Sequence, residues 1–310
     1  MLRRMLVATA VALGAALVVP APAVAAAEQD NKTPLSLYEI VEKRSADARA
    51  MRASVAVSEN TLYALTPKRD AIWMFDGQSW SQIGGPAAEI HAGGGYVYAT
   101  SPTTGKLSWY DHATATWLEI GGPYDQYAVD DVGIIQGLDS TGIFEWWGGD
   151  DWRKIGGPAS SIRSGGVGLL IATSLTTNEP YIYTGLPFLP WNRIGGPGDD
   201  FVITNVGYVY GQNKSGIYAW RGNLDWIKVG GPAKKMYTGG YMVATSPHNG
   251  DVYRFFDAEL HWEYAGGPGD LFSVANDGTL YGLNKSGIWR KVPGGSGWTK
   301  VGGPAATFAV

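Results

Sequence analysis

An all-β fold, a seven-bladed β-propeller of four-stranded blades of about 36 residues each, is predicted by three observations in this 310-residue chain. One pattern, W-x-x-x-G-G-P, occurs seven times, opening at Trp80, Trp117, Trp152, Trp191, Trp226, Trp262 and Trp298. These tryptophans stand 37, 35, 39, 35, 36 and 36 residues apart, the fixed period of a repeat architecture. Each period holds four short apolar runs divided by turn signals, which is the pattern of one blade. Composition agrees: 44 Gly, 13 Trp and 17 Tyr beside 17% charged residues suit tight turns and buried aromatics.

Residues 1–27 stand apart. Arg3 and Arg4 precede an apolar run from Met5 to Val19, and small residues follow at Ala23-Val24-Ala25-Ala26-Ala27. This is the layout of a secretory signal peptide, with cleavage expected after Ala25 or Ala27. A retained anchor is the alternative, but the apolar run is short for a spanning helix, so no membrane insertion is expected after cleavage. The Ala/Val-rich leader and the lack of cysteine lean towards a bacterial, extracellular protein. Residues 28–50 read as a linker and one amphipathic helix. Thr33 caps it, Pro34 takes its first position, and Leu37, Tyr38, Ile40, Val41 and Ala48 recur at helical spacing over 34–50. That helix is expected to pack on the propeller or to dock another secreted protein.

Residues 51–310 carry the blades. Four places after each Pro comes an apolar residue: Ile90, Tyr127, Ile162, Phe201, Met236, Phe272 and Phe308. It marks the inner strand. A Gly-rich or polar turn leads to a second run whose conserved spacing within the chain ends on a small residue, as at Ala64, Gly137, Ala172 and Ala244. Small residues there predict crowding where neighbouring sheets approach. A third run follows, and the Trp segment is the fourth. The first blade is expected to begin near 53–57. Residues 305–310 write one further opening strand, which would join the ends of the ring beside the first blade. The units alternate: blades 3, 5 and 7 carry Asp125, Asp199 and Asp270 two places after Pro, and turns Asp139-Ser140-Thr141-Gly142, Asn213-Lys214-Ser215-Gly216 and Asn284-Lys285-Ser286-Gly287.

Several chemistries are excluded or unsupported. The net charge is −4 and no basic run occurs, which argues against nucleic acid and anionic membranes as partners. With no cysteine there is no thiol catalysis and no cysteine metal site. His91, His112, His248 and His261 fall at four different places in the repeat and read as surface or turn residues. No H-E-x-x-H, G-x-S-x-G or P-loop is present, so no catalytic residue and no enzyme activity are expected. Ca²⁺ is the cofactor the acidic turns would suit, but their spacing matches neither the EF-hand nor the nonapeptide pattern, and no metal is assigned.

The topology offers candidate binding residues. In an antiparallel meander the link into each blade and the turn between its second and third strands share one rim. Asp125 then faces Asp139 and Ser140; Asp199 faces Asn213, Lys214 and Ser215; Asp270 faces Asn284, Lys285 and Ser286. Such sets supply the donors and acceptors that sugar hydroxyls need. Trp109, Trp146 and Trp220, four places after the turn glycine, are candidate stacking surfaces or, in the favoured reading, edge packing; Arg254 and Lys291 follow at that spacing.

With these residues in view, the Trp-x-x-Ile-Gly-Gly segment, the short apolar strand and the Val/Leu-Tyr-Ala/Gly strand resemble the tectonin-type β-propeller repeat, and are similar in style to tachylectin-like lectins. The resemblance covers 51–310. It implies a secreted, non-enzymatic, multivalent protein that binds cell-surface glycans or polysaccharide. The Pro after each Gly-Gly, the alternation of units and the count of seven depart from the family's pattern. The alternative expectation is a protein-interaction scaffold or the targeting subunit of a larger extracellular assembly such as a toxin.

Overall fold

The computed structural model describes residues 58–166, 168–185 and 190–310. The segments expected to be the leader, the 34–50 helix and the 53–57 strand lie outside the described residues. Among the described residues the chain forms seven antiparallel sheets of four strands each, a seven-bladed β-propeller. Blade 5 shows the plan: Asp200–Ile203 is innermost, then Val209–Asn213 and Gly216–Trp220, and Trp226–Gly230 is outermost. The inner strands Glu89–Gly93, Gln126–Val129, Ala159–Gly165, Asp200–Ile203, Lys235–Tyr237, Leu271–Val274 and Thr307–Ala309 stand side by side around the axis.

The C-terminal strand closes the ring. Thr307–Ala309 is the innermost strand of blade 1 and pairs antiparallel with Leu62–Leu65, in register Tyr63↔Ala309, Ala64↔Phe308 and Leu65↔Thr307. The sheet continues through Ile72–Phe75 to Trp80–Gly84. In this sheet the last strand therefore occupies the place expected for 53–57.

One cross-strand pair explains the small residue of the second strand. Ile90 pairs with Ala99, Tyr127 with Gly137, Ile162 with Ala172, Phe201 with Gly211, Met236 with Ala244, Phe272 with Gly282 and Phe308 with Ala64. Large faces small in every blade. The small residue faces the preceding blade, as expected, for Ala64, Ala99, Ala172 and Ala244 pack in clusters shared with it, and the blade itself adds crowding: a Cβ on Gly211 would stand 2.7 Å from the Phe201 ring and 3.2 Å from Trp226. Both belong to blade 5. Strict alternation then sends these paired residues to one face of the blade and their flanking residues to the other, so each blade packs on both neighbours.

The repeated tryptophans join blades. Each indole donates its N–H to the carbonyl of the residue before Gly-Gly in the preceding blade: Trp80 to Val301, Trp117 to Ile83, Trp152 to Ile120, Trp191 to Ile155, Trp226 to Ile194, Trp262 to Val229 and Trp298 to Ala265. The indole lies on the first glycine of that Gly-Gly. A Cβ on Gly121 would approach Trp152 Nε1 to 2.7 Å, and one on Gly195 would approach Trp226 Nε1 to 2.8 Å. Burial of each large ring combines with a satisfied N–H, the arrangement a half-buried Trp favours.

Candidate functional site

The rim carrying the links between blades presents the sequence-predicted sets. The backbone N–H two places after Pro donates into the second strand of its own blade: Asp125 to Leu138 O at 2.8 Å, Asp199 to Gln212 O at 2.7 Å and Asp270 to Leu283 O at 2.7 Å. The frame at that position is fixed while the side chain is exposed. None of the three carboxylates takes a side-chain hydrogen bond or an ion pair among the described residues.

Two clefts bring the predicted residues together. Between blades 4 and 5, a cleft of about 330 Å³ is lined by Asn178, Asp199, Asn213, Lys214 and Ser215. Between blades 6 and 7, one of about 680 Å³ is lined by Lys234, His248, Asp270, Asn284, Lys285 and Ser286, among others. The even-numbered blade supplies its turn as the far wall. Gly105, Asn178 and Gly250 hold the same place in these turns, with φ of 70°, 56° and 77°, the left-handed region that favours Gly and tolerates Asn. Gly250 abuts Pro268, and Asn178 accepts a bond from Gly198 N at 3.1 Å.

The third set is only partly assembled. A cleft of about 650 Å³ between blades 2 and 3 holds Asp125, but it runs towards Lys68, Arg69 and Asp70 of blade 1 and is not lined by Asp139 or Ser140. Tyr124 stands where blades 5 and 7 have Gly198 and Gly269, and its ring packs at a tilt against Trp152, centroids 4.8 Å apart. Burial, then the nearby Asp139, pushes its phenol up to about 12.

The turn residues are occupied by their own turns. Asn213 Oδ1 accepts from Ser215 N at 2.9 Å and Ser215 Oγ at 2.6 Å, and Asn284 Oδ1 from Ser286 N and Oγ at the same distances. Asp139 accepts from Thr141 and Gly142, bonds that hold its carboxyl below the usual range, Thr141 Oγ1 foremost. These are Asx turns. What Asn213 and Asn284 leave for a ligand is the amide N–H₂, a donor.

Trp109, Trp146 and Trp220 lie elsewhere. They sit in the later part of third strands, towards the opposite rim, and none lines these three clefts. Trp109 and Trp146 pack on each other across the blade 2–3 interface at 5.9 Å; Trp220 packs with the Ile171 and Ile203 cluster. Strand register corrects their alignment. Leu107, Ile143, Ile217, Val252 and Ile288 pair with the equivalent glycines Gly121, Gly156, Gly230, Gly266 and Gly302. Trp109 therefore matches Glu145, Ala219, Arg254 and Arg290, whereas Trp146 and Trp220 match Tyr110, Phe255 and Lys291. Turns of even blades are one residue longer, so counting four from the glycine mixed two strand faces.

Sequence reasoning missed further residues. His91 is neither a surface nor a turn residue, since it lies in the strand Glu89–Gly93 and burial holds its imidazole down at about 4. His112 lies in a turn, as expected, but is half-buried, is lowered by burial and meets the Tyr63 hydroxyl at 3.1 Å. Only His248 and His261 are exposed. Lys154, Lys228 and Lys300 lay their side chains over turn glycines Gly142, Gly216 and Gly287. A Lys two places after Trp occurs in the odd blades alone, a signal the alternation contained. Among the described residues, no group of three or more His, Asp or Glu converges as for a metal, and no helix is long and apolar enough to cross a membrane.

No family model matches the chain, and no curated protein matches it. Solved structures do. The ectodomain of the receptor kinase CR4 from Physcomitrella patens is similar with a TM-score of 0.54 and 14% identity, over 74% of this chain and 69% of that one. The dihydro-heme d1 dehydrogenase NirN gives 0.51 and 12%, over 82% and 76%. The extracellular domain of a hybrid two-component system from B. thetaiotaomicron gives 0.50 and 11%, over 71% of this chain, which spans only 34% of that one. At these identities the likeness shows the fold alone: the chain is a β-propeller.

Proposed function

We propose that this protein is a secreted, non-enzymatic lectin of tectonin-like repeats, which holds cell-surface glycans or polysaccharide in rim clefts between blades. The observation that carries the reading is the recurrence of one constellation, a solvated Asp opposite an Asn-Lys turn, in the clefts of blades 4–5 and 6–7. A carboxylate accepts two sugar hydroxyls, and the amide and ammonium donate to others, so each cleft complements a polyol on both counts. The clefts are open to solvent, which suits weak single sites. Weak sites on one rigid ring gain avidity of roughly 10²–10⁴ when several engage together. Two of the similar structures are an ectodomain and an extracellular domain, a setting compatible with the leader-like segment 1–27.

A glycan array probed with the chain lacking 1–27 tests this. Binding to a defined saccharide class, weakened in the Asp199→Ala/Asp270→Ala variant, is the expected result. Binding to no saccharide, with specific capture of a protein instead, would replace the lectin with the scaffold alternative.

A further inference from the structure

We propose that the cleft between blades 6 and 7 takes the anionic part of an acidic saccharide, a sugar bearing a carboxylate or phosphate, while the cleft between blades 4 and 5 takes neutral sugar. The inference rests on the reading of these clefts as saccharide sites and names the ligand class of one of them.

The argument begins with the position two places after Pro. Blades 3, 5 and 7 place Asp there; blades 1, 2 and 4 place Ala306, Ala88 and Ser160. Blade 6 breaks the pattern with Lys234. Its backbone is held like the others, N–H to Thr245 O at 2.8 Å, so only the side chain differs. Lys234 lines the same cleft as Lys285 and His248. Neither lysine forms an ion pair or a side-chain hydrogen bond among the described residues.

Hydrogen-bond accounting points the same way. Asn284 Oδ1 is taken by Ser286, and Ser286 Oγ also receives the Trp289 indole N–H at 3.1 Å. Asn249 Oδ1 accepts from Asp251 N at 3.1 Å, and its amide donates to Asp251 at 2.6 Å. The turns have consumed their own acceptors. Two ammonium groups and the Asn284 N–H₂ remain as donors, against the single carboxylate of Asp270. In the cleft of blades 4 and 5 one ammonium, Lys214, faces one carboxylate, Asp199. Only the first cleft has an excess of positive charge, and it stands in a chain whose net charge is −4. A carboxylate or phosphate between Lys234 and Lys285 gains charge-assisted hydrogen bonds that a hydroxyl does not. Asp270 is left to accept hydroxyls on the neutral side of the same sugar.

Titration calorimetry on the chain lacking 1–27 tests this with matched ligands: polygalacturonate against its methyl-esterified form, and phosphorylated mannan against unphosphorylated mannan. Within each pair the sugar backbone is shared and the anionic group distinguishes the members. The expected result is at least tenfold tighter binding of the charged member of one pair, which also identifies the anion as carboxylate or phosphate. Lys234→Gln/Lys285→Gln should abolish that preference, bringing the charged member down to the affinity of the neutral one, with the thermal midpoint unchanged. Lys214→Gln should keep it. Equal binding of charged and neutral members, or a preference that survives the double substitution, overturns the proposal while leaving the lectin reading intact. Failure of every saccharide to bind overturns both.

Discussion

The indole N–H of Trp80 donates to the carbonyl of Val301 at 2.6 Å, across 221 residues of sequence. Blade 1 is thereby tied to blade 7 by the bond that ties every other neighbouring pair. The W-x-x-x-G-G-P pattern is thus the joint of the ring, in which each unit supplies the indole and receives the next one. The two glycines have different jobs. The first makes room for the indole, and the second lies in the link to the next inner strand.

Replacing Trp80 by Phe keeps most of the apolar contact with Phe75 and removes the donor. Val301 O then loses its partner at the seam. Equilibrium urea denaturation should show a loss of about 1–2 kcal/mol, the usual cost of one net hydrogen bond with a partner left unmade. A loss within error would mean that the seam bond adds nothing to stability.

A second prediction separates the glycines. A Cβ on Gly266 would stand 2.5 Å from Trp298 Nε1, whereas one on Gly267 finds its nearest neighbour at 3.9 Å. Gly266→Ala should destabilise by about 1–3 kcal/mol, the range for overpacking, and Gly267→Ala should be near neutral. Thermal midpoints of the two variants check this; equal midpoints would contradict the joint.

Phe308 tests the closure. It is buried at 4% exposure in the cluster that includes Leu62, Tyr281 and Ile288, so one side chain packs blade 1 against blade 7. Phe308→Ala should cost about 3–5 kcal/mol in denaturant unfolding. A cost under 1 kcal/mol would show a ring that holds without its last strand.

The ring was legible because its signals are redundant: seven tryptophans at one spacing, each followed by Gly-Gly-Pro, leave little choice of architecture. The pairing of Asp199 with Asn213 and of Asp270 with Asn284 was legible from the parity of the meander alone. Other features depended on facts that a repeat alignment hides. Lys106 and Asp251 lengthen the even turns by one residue, and that residue moves Trp109 to the other face from Trp146. The Asx turns of Asn213 and Asn284 are written in the Asn-Lys-Ser-Gly composition, yet which acceptors they consume appears only with coordinates. Burial of His91 could not be read from a residue that neighbouring blades replace with Ala128, Arg163 or Val202, since each interface packs differently.

His91 makes stability depend on pH. Its Nε2 lies 3.7 Å from Glu89, but the ring is only 18% exposed and burial keeps it neutral, with a folded-state value of about 4. The unfolded imidazole titrates near 6.5. Between these values the unfolded chain binds the extra proton, so stability rises with pH through this window and is lost as pH falls from about 6.5 to about 4. The loss from this residue is on the order of 3 kcal/mol. His112, also lowered by burial, adds in the same direction. Denaturation midpoints taken across pH 4–7 should slope upward, less steeply in His91→Phe; an unchanged slope in that variant would assign it to other groups.

The central claim is that the rim clefts bind saccharide through Asp199 and Asp270. Calorimetric titration of a saccharide selected on a glycan array, into the native protein and into Asp199→Ala/Asp270→Ala, tests it most directly. The account predicts saturable binding to the native protein, and at least tenfold weaker binding to a variant whose thermal midpoint is unchanged. Equal affinity in the two proteins would contradict it.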